Sequence, residues 1–464
     1  MKKLFLGVLV LAAVYAVSAY VLGGQVQDRY LSELKDYERY GIFSISNQKY
    51  ERGLFSSRAE TLVEIAIPAG FDNGEGEARN ASIVVQHVFR HGPLPLTGRG
   101  FSFQPGLAVV ESTLVASGAA QDELFAKIPE LAQSRSDLRI GFGGDVTGDL
   151  KIPGFDLVVD DETLTWGGLD LHAAFTQADQ SMRGDVTIPR LILKTGGGAI
   201  ELKDFSSKFD LVEAVPLVFA GRIEASLASM NMTQAAMDTI SIKALRFSSN
   251  STCDGVLLHY TQSVDIEGIE VGEAAHGPVN FEVVARNIDA LAVSEFQTRF
   301  QQLYRSANDT DTDLFYSQAG ELYGSLFSKL MHGSPEFSIP RLRVATSMGE
   351  LTGALFVRLD APGEEALSNP LLLIKHVDAN VEMAVHETLL MGVLRMGIEQ
   401  LLGAASAAEA GAVDVDALVR QQYAEQVEPL LARNLIVRDG ETIKTQASFA
   451  QGKLVVNGQE MPLF

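Results

Sequence analysis

The chain of 464 residues has a single cysteine, Cys253. No disulfide can form within it, and a core of this size folds without such bridges. Cys253 lies in Asn250-Ser251-Thr252-Cys253-Asp254-Gly255, a turn-like stretch, and reads as an ordinary thiol, with interchain pairing as the other option. Positive charge is also scarce. Against 59 Asp and Glu stand 37 Lys and Arg, for a formal net charge of −22. Nucleic-acid binding needs clustered cations that displace counterions, and no such cluster exists, which excludes that class. An acidic surface also repels anionic headgroups, so charge alone does not lay the polar part of the chain on a bilayer.

The motifs of common chemistry are missing too. There is no Gly-x-Ser-x-Gly elbow, no phosphate loop ending in Gly-Lys-Ser/Thr and no Cys-x-x-Cys pair. His87 and His91 are four apart in a Val-rich strand sequence, where that spacing amounts to about 13 Å, too far for one metal ion. His386-Glu387 opens like a zincin motif, but Leu390 stands where the second histidine belongs. Asp309, Asp311 and Asp313 open like a calcium loop, yet Leu314 replaces its glycine and Gly320 its bidentate glutamate. Asp313 reads instead as a helix cap. The residues therefore nominate no catalytic group, no metal ligand and no cofactor, and the chain is expected not to be an enzyme.

Long apolar runs are absent except for one, from Leu4 to Gly24, preceded by Lys2 and Lys3. That length crosses a bilayer core of about 30 Å as a helix, and the lysines keep its start in the cytoplasm. Val17-Ser18-Ala19 would also suit a cleaved signal. Either way, most of the chain is expected in the periplasm; uncleaved, which is the expected reading, the run holds it by a single pass in the inner membrane. Residues 25–40 read as a short helical stalk with Tyr30, Leu31, Leu34 and Tyr37 at helical spacing.

From residue 41 the period changes to two. The expected class is α+β and mostly β: a long antiparallel meandering sheet built from repeated hairpin units, with three to four helices inserted in the C-terminal half. The expected divisions are 41–290, β-rich; 291–335, a helical insertion; and 336–464, strands, two helices and a terminal hairpin. A repeat supports the sheet. Gly144-Asp145-Val146-Thr147 leads to Ile152-Pro153, and Gly184-Asp185-Val186-Thr187 leads to Ile188-Pro189. A third Ile-Pro stands at Ile339-Pro340. Each is followed by a turn, at Asp160-Asp161-Glu162, Gly196-Gly197-Gly198 and Ser347-Met348-Gly349, as in stacked supersecondary units. Proline is expected where a strand begins. Helices are expected over Leu291–Ser306, Asp313–His332, Glu387–Leu402 and Val415–Arg433. The third is apolar almost all round, which predicts burial or a dimer contact.

Three separated motifs carry a resemblance. Tyr50-Glu51-Arg52-Gly53-Leu54-Phe55-Ser56-Ser57, His91-Gly92-Pro93-Leu94-Pro95-Leu96 and the tail Gly452–Met461 around Asn457-Gly458 resemble the signatures of the YdgA-like bacterial proteins, in the same order. The resemblance implies a membrane-anchored periplasmic protein of a family without an established role. It brings no catalytic residues with it. The motif residues read as structural: Gly53 as a turn residue with positive φ, Phe55 as a core contact, Pro93 and Pro95 as an extended exit from a strand. The anchor followed by β-repeats also resembles the layout of AsmA-like lipid-handling proteins. The expected function is a non-catalytic envelope protein whose sheet binds apolar or lipid material or an envelope partner. Self-association as a homodimer and a carboxylate-based hydrolase are the alternatives.

Overall fold

Alternation of apolar and polar residues dictates strands, and strands dominate the computed structural model of the chain. It describes residues 2–37, 43–67, 79–97, 100–101, 105–116, 118–234, 238–306, 312–360, 362–363, 370–404 and 414–462. Twenty-two strands lie in antiparallel ladders, beside a two-stranded ribbon of Leu96–Thr97 and Gly100–Phe101. The chain divides into two compact units, Met1–Phe219 with Gln297–Thr310, and Ala220–Phe296 with Asp311–Phe464.

The first unit opens with helix α1 (Lys2–Tyr37). Its strands are β1 (Phe43–Arg52), β2 (Ser56–Ile67), β3 (Arg79–His91), the ribbon strands β4 and β5, and β6 (Ala108–Val115). They continue through β7 (Arg135–Ile140), β8 (Val146–Ile152), β9 (Phe155–Val159), β10 (Glu162–Trp166), β11 (Leu169–Thr176), β12 (Ser181–Thr195) and β13 (Gly198–Val215). Pairing runs β1–β2–β3–β6–β7–β8–β11–β12–β13, and the β9–β10 hairpin joins β12 beside β11. All three repeat hairpins form, but only Pro153 precedes a strand. Pro189 lies inside β12, and Pro340 falls inside a later strand at a break in the pairing register between Ile339 and Leu342. A ladder irregularity tolerates a residue that cannot donate. The alternation also hides a short helix, α2 (Ala119–Lys127), which the pattern did not predict.

The second unit holds β14 (Val218–Gln234), β15 (Ile240–Asp254), β16 (Leu257–Val271), β17 (Ala274–Asp289), β18 (Glu336–Thr346), β19 (Gly349–Leu359) and β20 (Val377–His386). It ends with β21 (Val437–Asp439), β22 (Thr442–Ala450), β23 (Lys453–Val456) and β24 (Gln459–Met461). Cys253 falls inside β15 and not in a turn, which comes at Gly255.

Direct cross-strand partners share a face, so register sorts this sheet by polarity. One row reads Leu227, Leu245, Ile266, Val279, Val344, Leu351, Val385 and Ile443, unbroken over eight strands. A second reads Ala225, Phe247, Val264, Phe281 and Leu342. The neighbouring row on the opposite face reads Ser226, Arg246, Asp265, Asn280, Arg343 and Thr352. It is tied by Asn280 Nδ2 donating to Asp265 Oδ1 at 2.6 Å and Arg343 Nε to Glu350 at 2.5 Å. Of the first apolar row only Ile443 is fully buried; the rest are half-buried.

Four helical segments fall where the periodicity puts them: Ala290–Ser306, Thr312–Met331, Glu387–Ala404 and Val415–Gln426, the last continued by Glu428–Ala432 after a break at Val427. Phe315, Ala319, Leu322, Leu326 and Leu330 form the more buried stripe of the helix Thr312–Met331. The helix Glu387–Ala404 departs from expectation. It buries Leu389 and Ile398, half a turn apart around the axis, while Val393, Met396 and Leu401 stay exposed, so its burial is incomplete. Asp309 and Asp311 lie outside the described residues, as do the side chain of Asp313 and the connector 405–413.

Anchor and stalk prove to be one continuous helix, Lys2–Tyr37. Among the described residues no helix is long and apolar enough to cross a membrane; the side chains of residues 2–10 are outside the described set.

At the C-terminal hairpin, Asn457 (φ 45°) and Gly458 (φ 79°) form the two-residue turn that their sequence announces. Asn457 Oδ1 accepts from Gln446 N at 2.9 Å, and its Nδ2 donates to Asn434 O at 2.9 Å. Asn457→Ala removes both bonds and strains the turn, so it should lower stability by about 1–3 kcal/mol. Urea denaturation checks this. An unchanged midpoint, with unchanged exchange protection in β22 to β24, would refute it.

Candidate functional site

The motif residues of the first unit converge on helix α1. Register places two rows of β1, β2, β3 and β6 on one face: Tyr50, Ala59, His87 and Ser112, then Arg52, Ser57, Phe89 and Val110. The helix lies across these rows. Ala19 and Val26 are buried, and Val26 joins Ala59, Phe89, Leu107, Ala108 and Val110 in a core cluster edged by Leu22, Tyr30 and Tyr50. A buried side chain of this size contributes about 1.5–3 kcal/mol, so the cluster alone is enough to hold the helix.

Two side chains grip the helix backbone itself. The His91 ring, 1% exposed, hydrogen-bonds through Nδ1 to the Ala19 carbonyl at 2.9 Å and through Nε2 to Ser57 Oγ at 3.0 Å. A carbonyl only accepts, so Nδ1 carries the proton and Nε2 accepts from the serine hydroxyl. One residue on, Arg52 donates to the Tyr20 carbonyl at 2.7 Å and lies over the Tyr20 ring at 4.1 Å. The i+4 partners of these carbonyls are Gly23 and Gly24. A Cβ on Gly23 would sit 2.5 Å from the His91 ring, and one on Gly24 would meet the Arg52 guanidinium at 3.2 Å. A Gly-Gly pair inside a helix costs about 1 kcal/mol per residue against Ala; here the bare backbone admits both grips.

The loops close around the helix on either side. The Tyr15 hydroxyl donates to the Leu94 carbonyl at 2.6 Å, and its ring stacks on Phe55 at 6.0 Å. Phe55 therefore packs on the helix while remaining exposed, and it is not a core residue. Gly92 (φ 141°) passes Tyr15 at a position where a Cβ would lie 3.2 Å from its hydroxyl. Pro93 and the fully buried Pro95 carry the chain away from β3. Gly53 does not take a positive φ. Its amide donates to the Ser56 carbonyl at 2.9 Å, and a Cβ would stand 2.4 Å from that oxygen, so close backbone approach is what demands glycine. Ser56 is exposed and lends only this carbonyl. Farther along, Arg29 donates to the Gly144 carbonyl and to Gln177, both at 3.1 Å.

His87 anchors a hydroxyl chain under the helix. Tyr30 Oη, Thr61 Oγ1 and His87 Nε2 are linked at 2.6 and 2.8 Å, and His87 Nδ1 meets Ser112 Oγ at 2.8 Å. Burial lowers the His87 pKa from 6.5 to about 4 and raises that of Tyr30. Burial also lowers His91, with Arg52 adding to the effect. Sequence inspection rejected His87 and His91 as a metal pair; they are two separate props, each with both ring nitrogens engaged by protein. Ser57 belongs to the first motif, but Gly23, Gly24, Thr61 and Ser112 carry no role in the sequence reading, although a Gly-Gly pair closing an apolar run is a visible signal.

Among the described residues no group of three or more His, Cys, Asp or Glu has metal-binding geometry. A shallow polar hollow in the first unit gathers Asp137, Asp149, Asp170, Asp185 and His172. His172 bonds Asp149 at 2.9 Å and Lys151 pairs with Asp170 at 3.0 Å, all well exposed.

The sequence profile of a family described as "Bacterial protein of unknown function (DUF945)" matches residues 1–464. The chain belongs to this family. Protein YdgA of Escherichia coli (strain K12) is 22% identical over 446 residues, covering 90% of this chain and 85% of its own. The uncharacterized protein YihF of the same organism is 21% identical over 496 residues, covering 99% and 97%. No solved structure matches.

Two outcomes follow from the grip. Gly23→Val drives a branched side chain into the buried His91 ring and should cost about 2–4 kcal/mol by overpacking and by loss of the Ala19 bond. Denaturant unfolding measures it, and a loss below that of the exposed Gln25→Val would contradict the grip. The second outcome concerns pH. The unfolded chain protonates His87 near 6.5 and the folded chain only near 4. Protons therefore favour the unfolded state, and stability present above pH 6.5 is lost as pH falls towards 4, by about 2–3 kcal/mol. His87→Gln should flatten this part of the stability profile; a parallel profile in the variant would refute the assignment.

Proposed function

We propose that this is a non-catalytic envelope protein, tethered to the inner membrane by α1, that holds apolar or lipid material on the apolar face of its second unit. The observation that carries the reading is the apolar row of eight strands, from Leu227 to Ile443, left half-buried. Sheets bury an apolar face against another layer, and a row this long that is not fully covered leaves apolar surface for a ligand to complete. Lys2 and Lys3 before the uncharged run Leu4–Gly24 support the tether, with the polypeptide after it in the periplasm. The exposed Val393, Met396 and Leu401 of the helix Glu387–Ala404 favour self-association as a second reading.

Native mass spectrometry of the full chain, gently extracted in detergent, should show a lipid adduct. Ile266→Glu, a charge in the middle of the apolar row, should weaken that adduct at least about tenfold, the equivalent of 1.4 kcal/mol. Asn280→Asp on the polar face should leave it intact. A bare protein, or equal adducts in both variants, would overturn the reading. A dimer mass lost in Met396→Glu would favour the second one.

A further inference from the structure

The tether and the grip make competing demands on the same stretch of helix. A bilayer core of about 30 Å needs about 20 helical residues, so the run Leu4–Gly24 has no third to spare for water. Yet Tyr15, Ala19, Tyr20 and Gly23 are held by the loops and ends of strands. Both conditions hold together only if the gripping loops enter the membrane with the helix.

The surface around the grip fits that requirement. On the helix, Leu11, Val14, Val17 and Val21 are exposed, Leu11 by 70%. At 100° per residue Val14, Val17 and Val21 lie on the arc away from Ala19 and Val26. Beside them, the β1–β2 turn exposes Leu54 and Phe55, and the exit from β3 exposes Leu94. The Tyr15 contacts tie both loops to the helix at one level. Past Val21 the exposed helix surface turns polar at once, with Gln25, Asp28, Ser32 and Glu33. Tyr20 and Arg52 stand at the switch, an interfacial aromatic beside a cation that can reach water. The polar groups of the grip itself are internally bonded, as lipid demands. His91 uses both ring nitrogens, Ser18 Oγ donates to Tyr15 O at 2.8 Å, and the amides of Gly53, His91 and Gly92 find carbonyls at 2.9, 3.1 and 3.2 Å.

We propose that the two N-terminal motif loops form a collar immersed in the periplasmic leaflet, with the water line at Tyr20 and Arg52. The helix from Leu4 to Val21 then spans about 27 Å, close to the thickness of the hydrocarbon core. Leu54, Phe55 and Leu94 meet acyl chains, and the first unit is seated at a fixed height and orientation instead of hanging from a free stalk. The collar rests on the tether reading, and the experiment separates the two.

The full chain carrying Trp166→Phe, which removes its one tryptophan, is reconstituted in phosphatidylcholine vesicles with or without bromine on the acyl chains. Single tryptophans are placed by Val14→Trp, Phe55→Trp, Leu94→Trp and Gln25→Trp. The first three should emit to the blue and lose about half their intensity or more to bromine, whereas Gln25→Trp should not. Quenching at Val14→Trp with none at Phe55→Trp and Leu94→Trp would leave the tether standing and overturn the collar. Absence of quenching at all four would overturn the tether, and the collar with it. Leu94→Trp and Phe55→Trp lie on different loops, so misfolding of one does not decide the outcome.

Discussion

Two helix carbonyls, those of Ala19 and Tyr20, organise the first unit. Each already serves its own helix and accepts a second donor, from His91 and from Arg52. The geometry works only because Gly23 and Gly24 leave the helix flank bare. From that contact the rest follows in order. His91 draws in Ser57, Tyr15 fastens both loops, and the aromatic group of Tyr30, Tyr50 and Phe89 fills the space behind, with ring centroids 5.2 to 5.8 Å apart. The buried imidazoles stay neutral because ionising them there would forfeit hydration without a counter-charge.

The second unit obeys a different constraint. Strands of 15 to 17 residues, β14 to β17, pair side by side, and register rather than covering helices separates their apolar and polar faces. A sheet that keeps one apolar face half-open retains a large unsatisfied hydrophobic potential, roughly 25 cal/mol for each Å² still in contact with water. Cross-strand pairs such as Lys243 with Glu270, at 2.5 Å, join opposite charges on neighbouring strands.

Much of this could be read from residue order. Period-two alternation located the strands, and the 3.6-residue stripes located the helices after Asp289, because both are local consequences of burying one face. The turn at Asn457-Gly458 followed from left-handed φ values that these two residues tolerate. What failed was contact-dependent. Gly53 was assigned a conformational role, but the Ser56 carbonyl pressing on it is the actual reason for glycine. Pro189 and Pro340 read as strand starts but sit inside strands, Pro340 at a break in ladder register and Pro189 in a ladder whose register runs on unchanged past it. Helix Glu387–Ala404 reads as suited to burial or a dimer contact; Leu389 and Ile398 are buried, yet Val393, Met396 and Leu401 stay exposed. The hydroxyl and carbonyl partners of His87 and His91 come from β2, β6 and α1, which spacing within β3 does not display.

Local pattern by itself therefore determined the class of the chain: a leading apolar helix, a long meandering antiparallel sheet, and helices set into its C-terminal half. Those properties depend on neighbours two to four residues away, which sequence displays directly. Tertiary structure alone decided that the helix is gripped, by which side chains, and that Gly23 and Gly24 are the points of entry. Those contacts join residues 32 to 79 positions apart in the chain. No periodicity encodes such a meeting; it exists only once the strands have paired and brought Arg52, Ser57 and His91 to one place on one face.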